Sequence, residues 1–124
     1  MPKILIVEDE ADQMNLFRDF FKGEGWEVIG AVNGARALKA AFEKLPNVIL
    51  LDVNLPDMDG FEICKRIKAN PETAMTPLIL ISGNKKDTES IVKGLGLGSA
   101  TYLIKPVDLD VLKAKLEAVL KLKR

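Results

Sequence analysis

The sequence predicts an α/β fold of the doubly wound kind, a five-stranded parallel sheet with helices on both faces. Two observations predict it. Short apolar runs without polar alternation recur along the chain, as in Val48–Leu51 and Leu78–Ile81, and such strands are buried on both faces. Between them lie segments whose apolar residues follow helical spacing. Strict alternation of the two implies parallel pairing, with right-handed crossovers laying strands on both sides of the first.

Lys3 to Val7 is the first strand, stopping at the polar edge Glu8-Asp9-Glu10. Met14, Phe17 and Phe21 mark the first helix, closed by Gly23 and Gly25. Trp26 to Val32 is the second strand. Leu38, Ala41, Phe42 and Leu45 fall on one helical face with Pro46 beyond its end. Val48 to Leu51 runs straight into Asp52. Asp59 and Glu62 have capping-box spacing and open a helix through Phe61, Ile63, Cys64 and Ile67. Leu78 to Ile81 ends at Ser82-Gly83, and a polar helix follows from about Lys85 to Leu95. A glycine-spaced turn leads to the strand Thr101 to Ile104. Asp108 caps a last helix carrying Leu109, Leu112, Leu116 and Val119, whose final turn holds Lys121, Lys123 and Arg124.

At 124 residues and 48% hydrophobic content, one domain spanning 1–124 with a real core is expected, with no output domain. Lys plus Arg equals Asp plus Glu at 18 each, so no general field draws the chain to nucleic acid or membrane. Cys64 is the single cysteine, which excludes an intrachain disulfide and suits a reducing, cytoplasmic setting. No apolar run approaches the roughly 20 residues of a membrane span. The absence of histidine excludes His-based triads, His metal ligation and a phosphohistidine on this chain.

In a sheet of this kind, ligands sit beyond the carboxyl ends of the strands. Strand one ends in Glu8-Asp9, strand three in Asp52, strand four in Ser82 and strand five in Lys105-Pro106. If those strands are neighbours, three carboxylates, a hydroxyl and an ammonium converge. Grouped carboxylates repel unless a cation binds. Mg²⁺ suits them, since it takes one or two carboxylates together with water and phosphate oxygens. Asp52 is placed as an attacking carboxylate of the kind that forms an aspartyl phosphate. Taken singly, Glu8-Asp9 reads as a solvated strand end, Asp52 as a turn residue, Ser82 as a helix cap and Lys105 as a surface charge. Their joint placement at strand ends outweighs those readings.

Over essentially its whole length the sequence resembles the receiver domains of two-component response regulators, and stand-alone chemotaxis receivers in particular. The runs Ile4–Glu10, Val48–Gly60, Leu80–Ser82 and Tyr102–Pro106 carry the resemblance. It implies a flavodoxin-like strand order 2-1-3-4-5. It implies Asp52 as phosphoacceptor, with Mg²⁺ (or Mn²⁺ in its place) held by Glu8, Asp9, Asp52 and the backbone carbonyl of Asn54. Ser82 and Lys105 would hold the phosphoryl group, Tyr102 would be the aromatic switch, and Pro106 would follow a cis peptide. A sensor histidine kinase or a histidine phosphotransfer protein would supply the phosphoryl group. The altered face of the fourth helix, fifth strand and fifth helix would then control a protein partner. Neither nucleic acid nor membrane is a direct partner in this reading, and the chain is a monomer or a phosphorylation-dependent dimer. Catalysis is limited to its own phosphorylation and dephosphorylation.

Departures from the commonest pattern are Glu8 where Asp is frequent, Val107 after Lys-Pro, and Ser99-Ala100-Thr101 in place of an acidic pair. Asn84 occupies a position that tunes dephosphorylation in the family. Gly94 to Gly98 lacks the last glycine of a dinucleotide loop and precedes a strand, so it reads as a turn. Asp52-Val-Asn54 approaches the D-x-D motif of haloacid-dehalogenase-like phosphatases, but Asn54 replaces their general acid/base. Cys64 reads as a structural thiol. Lys85-Lys86 reads as a solvated helix start.

Overall fold

The computed structural model describes residues 2–95 and 101–122. Strands β1 (Lys3–Val7), β2 (Glu27–Ala31), β3 (Val48–Asp52), β4 (Leu78–Ser82) and β5 (Thr101–Ile104) alternate with helices α1 (Ala11–Gly23), α2 (Gly34–Lys44), α3 (Gly60–Ala69), α4 (Lys85–Leu95) and α5 (Leu109–Leu122). All pairings are parallel and the order is β2-β1-β3-β4-β5. The doubly wound sheet expected from sequence is therefore present, with the strand order that the resemblance implied. Among the described residues no helix is long and apolar enough to cross a membrane.

Every residue of β3 and β4 is buried, which accounts for their unbroken Val/Ile/Leu content. Alternate side chains enter separate cores. Leu5, Val7, Ile49, Leu51 and Leu80 pack with Ala41 of α2, Ile63 of α3 and Ile91 of α4. Ile4, Ile6, Leu50, Ile79, Ile81 and Leu103 pack with Phe17 and Phe21 of α1 and Leu112 of α5. Burial of one such side chain stabilises the fold by about 1.5–3 kcal/mol.

The period of two then sets where the strand-end groups point. Glu8, Asp52 and Lys105 continue the phase of Ile6, Leu50 and Leu103, toward the α1/α5 side. Ser82 continues the phase of Leu80, toward the α2/α3/α4 side, and half-buried Tyr102 packs on that same side.

Several local expectations need correction. Leu45 is not part of the packed face of α2. It ends the helix at φ 47° and is 44% exposed, because its N–H closes onto the Ala41 carbonyl in the left-handed conformation. Trp26 precedes β2 instead of starting it. The capping box at α3 is half formed: Asp59 accepts from the Glu62 N–H at 2.8 Å, while the Glu62 carboxylate lies 3.6 Å from Arg66. Phe61 faces outward and is 40% exposed. Asp108 caps α5 as expected, accepting from the Asp110 and Val111 N–H groups. Residues 96–100, with most of the glycine-spaced turn and the pair Ser99-Ala100, lie outside the described residues, as do Lys123 and Arg124.

Candidate functional site

Parallel register brings the ends of β1, β3, β4 and β5 to one edge of the sheet, because Val7 pairs with Leu51, Asp52 with Ile81 and Ser82 with Ile104. Glu8, Asp9 and Asp52 each present a carboxylate oxygen, and the three lie within 4.8 Å of one another. Glu8 and Asp52 are buried and Asp9 is exposed, so the cluster opens to solvent on one side. Lys105 reaches in from the end of β5. Its ammonium donates to Asp52 Oδ2 at 2.7 Å and stands 3.5 Å from Glu8 Oε1. The Lys105-Pro106 peptide bond is cis.

The electrostatics follow from this crowding. Burial pushes the Glu8 carboxyl up to about 7, and the charge of Asp52 adds to it; the Glu10 N–H and Lys105 act in the opposite direction without cancelling it. For Lys105, burial alone would favour the neutral amine. The hydrogen bond and charge of Asp52, joined by Glu8, outweigh it and hold the ammonium above the ordinary lysine value.

The residues fit a hard divalent cation. Glu8 Oε2 accepts from the Glu10 N–H at 3.2 Å, whereas buried Glu8 Oε1 has no hydrogen-bond partner among the described residues. Its 3.5 Å separation from Lys105 is an ion-pair distance only. A buried carboxylate oxygen left unpaired is costly, and one cation among three carboxylates would satisfy it. All donors are oxygens, the chemistry of Mg²⁺ sites.

Ser82 stands apart. Its hydroxyl accepts from the Asn54 side-chain amide at 3.1 Å and the Asn84 N–H at 3.0 Å, and donates to Asp87 Oδ2 at 3.3 Å. Asn54 also donates its N–H to Asp52 Oδ1 at 2.9 Å, which anchors the loop after β3 to the acid itself. That loop is closed by the Gly60 N–H on the Val53 carbonyl, and a Cβ on Gly60 would lie 2.5 Å from Val53 Cβ. Only glycine permits this approach.

Two participants escaped the sequence reading. Asp87 carries no distinguishing motif. Asp57 accepts from the Gly34 N–H at 2.7 Å and the Ala35 N–H at 3.1 Å, so a loop acid caps a helix that starts 23 residues upstream. Those backbone hydrogen bonds lower the Asp57 carboxyl below its ordinary value. The Asp57–Met58–Asp59–Gly60 run holds the sequence signal, but which helix it caps is a tertiary fact.

The family model for the response regulator receiver domain matches residues 4–117. The chain belongs to this family. In sequence it is similar to the phosphate regulon transcriptional regulatory protein PhoB of Rhizobium meliloti, at 36% identity over 98% of this chain and 53% of that protein. The polar-differentiation response regulator DivK of Brucella anthropi is 39% identical over 86% of this chain and 87% of its own length. Among solved structures, the receiver domain of a Pseudomonas aeruginosa sensor histidine kinase, with a magnesium ion coordinated in its active-site cleft, superimposes with a TM-score of 0.86. It is 26% identical and covers 97% of this chain and 98% of that one. This chain spans about half the length of the longer curated relatives it matches. Receiver domains interact with histidine kinases and downstream effectors, and the acidic pocket of this receiver is consistent with a Mg²⁺-binding phosphoacceptor site.

Proposed function

We propose that Asp52 is the phosphoacceptor of a two-component phosphorelay and that residues 1–124 switch as one receiver domain. The observation that carries this reading is the Lys105–Asp52 hydrogen bond set inside a carboxylate cluster whose Glu8 oxygen lacks a partner. One Asp52 carboxylate oxygen attacks the phosphorus of a phosphohistidine on a kinase or phosphotransfer protein. The O–P bond forms, the N–P bond breaks, and the electron pair leaves on the imidazole nitrogen.

Lys105, already aimed at Asp52, neutralises charge on the transferred group. Glu8, Asp9, Asp52 and the Asn54 carbonyl would hold Mg²⁺, which when bound supplies positive charge to the phosphoryl oxygens. Ser82 donates its hydroxyl to the phosphoryl group, and Tyr102, half-buried on the same side of the sheet, follows it inward. The face formed by α4, β5 and α5 then binds a protein target differently. The chemistry is confined to the domain's own phosphorylation and dephosphorylation.

The test is incubation with acetyl phosphate and Mg²⁺ followed by intact mass measurement. One phosphoryl adduct is expected on the native chain and none on Asp52→Asn. An adduct that survives Asp52→Asn would overturn the assignment.

A further inference from the structure

The Ser82 hydroxyl has no spare hydrogen-bonding capacity. A hydroxyl has one proton and two acceptor lone pairs. The Asn84 N–H and the Asn54 amide occupy the lone pairs, and the proton goes to Asp87 Oδ2. Ser82 is fully buried, which limits exchange of these partners for water. A phosphoryl group on Asp52 can therefore receive the Ser82 proton only when Asp87 loses it.

We propose that Asp87 is a positioning residue that competes with the phosphoryl group for the single proton of Ser82, so that loading Asp52 unties the first turn of α4 from β4. This rests on the phosphoacceptor reading of Asp52. Strand phase supports it, since Ser82 points to the α4 side of the sheet while Glu8, Asp52 and Lys105 point to the other.

So does the local bonding of α4. The Asn84 side chain caps the Lys86 N–H, the Asp87 N–H takes the Asn84 carbonyl, and the Thr88 hydroxyl takes the Lys85 carbonyl. Each of these is internal to the turn. Among the described residues, Ser82–Asp87 is the one side-chain hydrogen bond from α4 to the sheet. Asp87 and Asn54 also line a groove of about 250 Å³ beside Phe61, so releasing Asp87 alters the wall of a surface cleft between α3 and α4. An acid in a first helical turn is otherwise explained by the helix dipole, which would affect stability alone.

The experiment is calorimetric titration with Mg²⁺ and beryllofluoride on the native chain, Asp87→Ala, Asp87→Asn, Ser82→Ala and the Ser82→Ala/Asp87→Ala double variant. Loss of one charged hydrogen-bond competitor should tighten binding in Asp87→Ala by roughly tenfold. Asp87→Asn keeps an acceptor without its charge and should fall between; it carries the test if Asp87→Ala does not fold. In the Ser82→Ala background the Asp87 change should have no effect. Equal tightening there would make Asp87 a simple repulsive charge and overturn the proposal, as would unchanged or weaker binding in folded Asp87→Ala. Amide exchange adds a second readout: the first turn of α4 should exchange faster in the loaded native chain and in unloaded Asp87→Ala, and equal protection in all states would overturn the untying. A native chain that takes neither beryllofluoride nor phosphoryl defeats the phosphoacceptor reading, and this inference falls with it. Phosphoryl uptake with an inert Asp87 defeats this inference alone.

Discussion

The Lys105 ammonium lies 2.7 Å from Asp52 Oδ2 and is the cation that balances this buried carboxylate. Asp52 is 3% exposed and Lys105 31%, so the pair is partly shielded from solvent. Among the described residues, removing the lysine leaves Glu8 and Asp52 without a counter-charge.

Lys105→Met should therefore destabilise the metal-free domain by about 2 kcal/mol. That is below the 3–5 kcal/mol of a fully buried pair, because part of Lys105 is solvated. Mg²⁺ should restore much of the loss by supplying charge to the same oxygens. Urea denaturation with and without Mg²⁺ reads both effects. A loss that Mg²⁺ leaves untouched would argue against a shared cation site.

Gly60→Ala should cost about 1–3 kcal/mol, the usual penalty of overpacking, because the new Cβ would lie 2.5 Å from Val53 Cβ. Relief of that clash moves the loop bearing Asn54, so Mg²⁺ affinity should fall as well. Thermal denaturation and Mg²⁺ titration of the same variant check the two parts.

Asp57 provides a pH test. Its folded carboxyl is lowered by the Gly34 and Ala35 N–H groups from an ordinary value of 3.8. The unfolded chain therefore binds a proton more readily, and stability from this group is present above pH 3.8 and lost as pH falls through the folded value. Asp57→Asn should lower stability at neutral pH and converge with the native chain in acid. Parallel curves from pH 7 to pH 3 would show that the Asp57 carboxylate adds nothing to stability.

Trp26 should be blind to the site. Its ring stacks edge-on against Phe21 at 6.2 Å, beside Leu116 and Leu120. It precedes β2, whose five residues place it roughly 17 Å along the strand from the carboxyl edge. Mg²⁺ or beryllofluoride should leave its fluorescence unchanged, while unfolding should shift it strongly. Quenching by Mg²⁺ alone would contradict this placement.

Much of this molecule was legible in the chain. Unbroken apolar runs such as Val48–Leu51 revealed strands buried on both faces, and polar residues at their ends revealed the edge where the acidic and basic side chains gather. Glu8, Asp9, Asp52 and Lys105 converge because the parallel register brings the carboxyl ends of β1, β3 and β5 to one edge. What could not be read is contact across elements. Asp57 is an ordinary turn acid until α2 is laid beside it. Asp87 is an ordinary helix-start acid until Ser82 is seen to donate to it. Leu45 matched the apolar period, but the period cannot show where a helix stops.

Strand phase has a consequence for how such a domain tolerates change in length. Each terminal polar group lies on its side of the sheet because of the number of residues before it. Deleting one residue within β4 would carry Ser82 across to the α1/α5 side and separate it from Asp87, even if every strand re-paired. Insertions in the connecting loops leave that parity intact. Related chains should therefore vary in loop length far more freely than in the count of residues along β1, β3, β4 and β5: the carboxyl edge is written in odd and even numbers.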